Sequence, residues 1–196
     1  DEVAALPDNT TVLVTGIVFA PYQRGFVMNI GEYWDNCILV YQGAQHDYYM
    51  PVMGNQVAMI AQKVTYNGLP EITSIQYFQI LDTKEYDYGY NRYYGLYDPE
   101  DFRNSKIERY EYVKFAGKLE KSGNYYNVIV DGVEDRIGSI EFPLQDLTEY
   151  LGQKVSVEGW FIGYTGQYMK IVLKSISLLD DSGSAEDVVP GDDVVV

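Results

Sequence analysis

The second half of this chain echoes the first at a nearly fixed spacing, and that repetition restricts its folds more than any other feature. Gly54-Asn55-Gln56-Val57 is matched by Gly152-Gln153-Lys154-Val155, Tyr66-Asn67-Gly68 by Tyr164-Thr165-Gly166, and Ile80-Leu81-Asp82 by Leu178-Leu179-Asp180, all at an offset of 98 with no gap over 29 positions. Upstream, Val14-Thr15-Gly16-Ile17 matches Phe115-Ala116-Gly117-Lys118 after a shift of three, of the kind loops absorb. Three turn-forming or strand-ending features in register favour duplication over coincidence. A chain of 196 residues that repeats itself in this way is read as two small domains.

Each copy reads as five strands. The chain holds 20 Tyr, 7 Phe and 2 Trp beside many Val, Ile, Gly and Asn, a mixture that favours pleated strands and tight turns over helices. In the first copy the strands fall at about 11–19, 26–30, 37–41, 56–64 and 69–81, and in the second at about 112–120, 125–130, 136–142, 155–162 and 168–179. Arg24-Gly25, Asn67-Gly68, Ser122-Gly123-Asn124 and Thr165-Gly166 supply hairpin-turn chemistry, because a positive φ is inexpensive there. The longest interruption lies between the third and fourth strands. In the second copy it carries Leu144, Leu147 and Leu151 at i, i+3 and i+7 before Gly152, which predicts a short amphipathic helix with its apolar stripe turned inward. In the first copy Pro51 argues for a shorter or irregular segment.

Three strands, a helix and two more strands within about 70 residues is the order of the five-stranded OB-fold barrel. Gly16 and Gly117 sit inside the long first strands, where a glycine marks the bend that lets one strand serve both sides of a small barrel. An SH3-like barrel is the rival, and the position of the helix counts against it. The expected architecture is all-β: two tandem OB-fold barrels at residues 11–82 and 112–180, a Tyr-rich linker at 83–111 and an acidic tail at 181–196. The linker holds six tyrosines between Glu85 and Tyr97, too aromatic for a free tether, and is expected to pack against a barrel. Asp98-Pro99-Glu100-Asp101 after it has the cap, proline and acids of a helix start.

On the Thr15-Gly16 and Ala116-Gly117 strands, the Gly54-to-Val57 and Gly152-to-Val155 openings of strand four and the duplicated organisation over residues 11–180, the chain resembles the exported, lipoprotein-like tandem OB-fold proteins of Bacteroidetes-type bacteria. The resemblance implies a location in the cell envelope or outside the cell, in the periplasm or on the outer surface, and a binding role. It carries over no functional residue. A chain that begins at Asp1 fits the removal of a targeting or lipidation signal upstream, and no stretch approaches the ~20 apolar residues of a membrane-spanning helix.

OB-folds bind oligonucleotides or oligosaccharides across strands two and three, between the loops joining strands one to two and four to five. Those loops contain Tyr22, Arg24 and Tyr66 in the first copy, and Lys121, Tyr125, Tyr164 and Tyr168 in the second. A Tyr ring offers a flat face to a sugar or base and a hydroxyl for a directed hydrogen bond, although tyrosines of this kind also close barrel ends. Tyr33 and Trp34, at the tip of the hairpin between strands two and three, are harder to bury and complete the candidate ligand-binding set.

Charge bears on the ligand. The formal net charge is −15, of which residues 1–10 and 181–196 hold −8, so neither barrel is strongly repulsive to an anion and neither is basic. Arg24 and Lys63 are the cations of the first barrel; Lys114 and Lys118, like Lys170 and Lys174, share outward faces in the second, a pattern more typical of a solvated sheet than of a phosphate track.

Chemistry beyond binding has little to stand on. His46 is the one histidine and has no nucleophile motif, Cys37 is the one cysteine and sits in a buried-strand pattern, and Asp131-Gly132-Val133-Glu134-Asp135 lacks calcium-loop spacing and reads as a hairpin turn. The sequence therefore points to no cofactor, no metal and no enzyme activity. It points to a non-catalytic binding or scaffolding module for a protein or glycan partner, with single-stranded nucleic acid as the alternative and a spacer within an envelope assembly as a third reading. The tail reads as a solvated extension whose valines could add a strand to a sheet edge.

Overall fold

A computed structural model describes residues 2–31, 36–44, 49–85 and 98–179, and the backbone of 93–95. Tyr33, Trp34, His46, most of the tyrosine-rich segment and the acidic tail lie outside the described residues. The chain divides into two compact units, Asp1–Asn91 with Phe142–Leu144, and Arg92–Glu141 with Gln145–Val196.

In the first unit a short helix α1 (Glu2–Ala5) precedes strands β1 (Thr10–Tyr22), β2 (Gly25–Asn29), β3 (Cys37–Tyr41), β4 (Asn55–Tyr66) and β5 (Leu69–Thr83). They close into a barrel in the order β1-β2-β3-β5-β4, with β3 and β5 parallel and the other pairs antiparallel. That order is the OB-fold. Alternation places the core: on β4 the buried positions recur at every second residue from Asn55 to Lys63, putting Val57, Met59 and Ala61 inside with Val14, Phe26, Met28 and Val40. Each fully buried Val, Met or Phe removes enough apolar area from water to stabilise the fold by about 1.5–3 kcal/mol. The Asn67-Gly68 turn has φ of +49° and +76°, the twist-matched geometry a two-residue hairpin needs.

The second unit begins with a three-residue strand β6 (Tyr93–Gly95), parallel to the next strand, and helix α2 (Pro99–Asn104). Strands β7 (Tyr112–Ser122), β8 (Tyr125–Ile129), β9 (Ile137–Ile140), β10 (Lys154–Thr165) and β11 (Tyr168–Leu178) follow. Pairings β7–β8, β8–β9, β9–β11 (parallel), β11–β10 and β10–β7 complete the same circuit as in the first unit. Leu119, Val128, Ile140, Val155, Val157, Met169 and Ile171 fill its core, joined by Phe102 of α2 and by Ile107. Gly138 on β9 leaves room for the Phe115 ring, which a Cβ there would meet at 2.5 Å.

Two expectations about local structure change. The helix expected between strands three and four is reduced in the second unit to one 3-10 turn, Thr148–Tyr150. Asp146 Oδ1 accepts from the backbone N–H and the hydroxyl of Thr148 at 3.0 and 2.6 Å, bonds that compete with α-helical pairing and hold the Asp146 carboxyl below its ordinary range. Leu147 alone of the three leucines is fully buried, and Leu144 is exposed. Lys114, expected on a solvated face with Lys118, is buried; its ammonium lies 3.4 Å from Glu158, whose other carboxylate oxygen accepts from the Tyr112 hydroxyl. Lys63 is likewise buried, donating to Asp8 at 2.9 Å. Cys37 opens β3 half-buried.

Candidate functional site

A cavity opens on the second barrel, on the strands and loops where an OB-fold ligand is expected, with polar side chains on its floor. Tyr125 and Asn127 of β8 point away from the core residue Val128, and Ser139 stands on β9 opposite Asn127. Lys170 of β11 lies opposite Ser139 across the parallel β9–β11 pair, and Glu141 follows Ser139 by two residues on the same face. The loops that flank this surface contribute Ser122 from the β7–β8 turn and Thr165 and Tyr168 from the β10–β11 turn, and the space enclosed is about 260 Å³. Outward residues of a barrel are ordinarily solvated. Here the flanking turns raise a rim, so that Asn127, Ser139 and Glu141 are only 8%, 4% and 7% exposed.

The floor of this cavity is short of donors. Glu141 Oε1 lies 3.4 Å from the Lys170 ammonium, an ion pair without the alignment of a hydrogen bond, and neither Glu141 Oε1 nor Asn127 Oδ1 receives a hydrogen bond within the described residues. A buried acceptor left unpaired costs about 1–3 kcal/mol, so the site favours any ligand that brings donors to it. The rim is aromatic: Tyr125 is 47% and Tyr168 38% exposed. Among the described residues no group of three or more His, Cys, Asp or Glu is placed to hold a metal ion.

Of the residues expected to bind, Tyr125 and Tyr168 line the cavity. Lys121 is exposed and outside the cavity lining, with its ammonium 4.9 Å from the Tyr126 ring centre, and Tyr164 packs on Phe161 at 4.6 Å with the Arg136 guanidinium 5.1 Å over its ring. The described first-barrel candidates, Tyr22, Arg24 and Tyr66, do not line this cavity. Tyr22 is 3% exposed, which corrects the expectation that its ring offers a face to a ligand: as the last residue of β1 it is packed in by its neighbours. Arg24 is half-buried with its guanidinium 3.4 Å over the Phe142 ring, so its flat face is already occupied. Tyr66 is 62% exposed at the end of β4. Tyr33 and Trp34 fall outside the described residues.

Asn127, Ser139 and Glu141 did not stand out in the sequence, and Lys170 reads there only as an outward-facing partner of Lys174. The signal available was period-two alternation, which puts Tyr125 with Asn127 and Ser139 with Glu141 on one face.

No family model and no curated protein matches the chain. Among solved structures it is similar to one described as "Structural mimicry for functional antagonism", at 9% identity over 87% of this chain and 97% of that one, with a TM-score of 0.37. It is also similar to a murine DNA binding protein bound with ds DNA, at 10% identity over 87% of this chain and 100% of that one, TM-score 0.35. A third is a multidomain protein with nucleic acid binding domains from Streptococcus pneumoniae, at 14% identity over 90% of this chain and 57% of that one, TM-score 0.27. What those proteins bind is a property of those proteins.

Proposed function

We propose that this protein is a non-catalytic binding module whose second barrel holds part of a glycan on the face of β8, β9 and β11, in the cell-envelope or secreted setting that its sequence resemblance implies. The observation that carries the reading is the cavity floor: two buried acceptors that receive no hydrogen bond from the described residues, one of them ion-paired with Lys170, set between exposed tyrosine rings. Sugars bring hydroxyl donors to such acceptors and apolar ring faces to such aromatics, so one ligand class answers both features. A nucleic-acid strand answers the aromatics, but its phosphates meet one lysine in the cavity lining, Lys170, whose charge Glu141 already offsets.

Isothermal titration of the intact chain with soluble oligosaccharides, chosen from a glycan array, tests the reading. Tyr168→Ala is expected to weaken the best ligand by about tenfold, the ratio that ~1.4 kcal/mol commands. Turnover of a bound glycan would remove the non-catalytic assignment. Tight oligonucleotide binding that falls steeply with salt would replace the glycan with single-stranded nucleic acid.

A further inference from the structure

We infer that the group seated in the cavity is an uncharged polyol, a sugar ring presenting neighbouring hydroxyls to Glu141 and Lys170 and a further donor to Asn127, and that Glu141 is the residue that turns anionic sugars away. The inference rests on the glycan reading above and adds the charge of the ligand and the side chains that select it.

The placement of the selecting groups is fixed by strand register. Asn127 faces Ser139 across β8–β9, and Ser139 faces Lys170 across β9–β11, so three polar side chains form a row across three adjacent strands with Glu141 one step along the same face. Neighbouring strands lie about 4.8 Å apart, which brings the two ends of that row within the reach of one sugar ring and its substituents. Glu141 Oε1 and Lys170 Nζ are 3.4 Å apart and not aligned as a hydrogen bond. A hydroxyl is donor and acceptor on one atom. It can donate to Glu141 Oε1 while accepting from Lys170, and a neighbouring hydroxyl can extend the chain toward Asn127 Oδ1.

Charged ligands fit less well. A carboxylate or phosphate has acceptors only, so it leaves both unpaired oxygens of the floor unpaired, and it sets a second negative charge against a carboxylate that is 7% exposed, where water screens poorly. An ammonium group satisfies Glu141 but confronts Lys170. With one positive and one negative side chain lining the space, the pair carries no net charge, and a neutral ligand leaves that balance undisturbed.

The test is a titration of the intact chain with neutral gluco-, galacto- and manno-oligosaccharides, the corresponding uronate-bearing oligosaccharides, and guanosine, with amide NMR shifts reporting the site. A neutral oligosaccharide is expected to shift β8, β9 and β11 and to bind at least about tenfold more tightly than its uronate counterpart, equivalent to ~1.4 kcal/mol. Glu141→Gln, which keeps the shape and removes the charge, is expected to narrow that gap, and Lys170→Met to weaken neutral and anionic sugars alike. Equal or tighter uronate binding by the unaltered chain overturns the inference while leaving the glycan reading intact, and this measurement needs no variant. An unchanged neutral-to-uronate ratio in folded Glu141→Gln does the same. Guanosine binding in place of sugars, or binding of none of the sugars, overturns the glycan reading itself.

Discussion

A Cβ placed on Gly117 falls 2.5 Å from the carbonyl oxygen of Ile129, and one on Gly16 falls 2.7 Å from that of Asn29. Both glycines stand where the long first strand of a barrel shifts its pairing from one neighbour to the next: Gly16 pairs with Val57 just before Ile17 takes up Asn29, and Gly117 pairs with Val155 just before Lys118 takes up Ile129. The requirement is close backbone approach, so Gly117→Ala is expected to destabilise by about 1–3 kcal/mol through overpacking, read as a lower urea midpoint at unchanged slope. An unchanged midpoint would show that the strands can part there at little cost. Both glycines were visible in the sequence as breaks in strand-like runs. The donor-poor floor was not, because Asn127, Ser139 and Glu141 alternate with core residues just as a solvated face does, and only the rim raised by Ser122, Tyr125, Thr165 and Tyr168 takes them out of water.

Also at the scale of single residues, Asp8 ties the start of the first barrel to β4. Its carboxylate accepts from the buried Lys63 ammonium at 2.9 Å and from the Thr65 hydroxyl at 2.8 Å, and these bonds, Lys63 first, hold the carboxyl below its ordinary range. A carboxyl depressed in the folded state adds stability that is present above its unfolded value of about 3.9 and is lost as pH falls through the folded value. Asp8→Asn is therefore expected to melt at a lower temperature than the unaltered chain at pH 7, with the two melting points converging as pH falls below the ordinary carboxyl range. A gap that stays constant with pH would mean that the Asp8 charge contributes nothing.

Among elements, α2 shows how a short segment outside the strands becomes part of a barrel. Asp98 accepts from the Asp101 N–H at 2.8 Å as N-cap, Pro99 opens the helix, and Phe102 on its inner side is fully buried 5.1 Å from the Phe115 ring. Arg103 adds an ion pair with Asp135 at 3.2 Å. Phe102→Ala is expected to cost about 3–5 kcal/mol, the range for emptying a buried aromatic site, and Asp98→Ala about 0.5–2 kcal/mol for the lost cap. Calorimetry that found the two losses equal would place the helix's contribution in its cap instead of its ring. The helix start was readable from Asp98-Pro99 because capping is local chemistry, and the strands were readable because Gly and Asn punctuate them. The failed helix at Leu144, Leu147 and Leu151 marks the limit of that reading. Apolar spacing suggested a helix there, and the Asp146–Thr148 turn captured the backbone first.

On the scale of the whole molecule, the two barrels share one strand circuit yet differ on the face where a ligand is expected. Counting along matched registers, Asn127 opposite Ser139 on β8–β9 corresponds to Val27 opposite Leu39 on β2–β3. Val27 is fully buried and Leu39 is 6% exposed, so the first barrel has apolar side chains where the second has a row of hydrogen-bonding ones. An apolar pair can offer neither the donors nor the acceptors that orient a polar ligand. The intact chain is accordingly expected to bind one glycan per molecule, with an isothermal titration stoichiometry near one despite its two barrels. Transplanting the first barrel's pair into the second, as Asn127→Val with Ser139→Leu, is expected to abolish binding while conserving the β-sheet circular dichroism spectrum. A stoichiometry near two, or full affinity in that double variant, would mean that the ligand is held by features the barrels have in common and that the polar row is incidental to recognition.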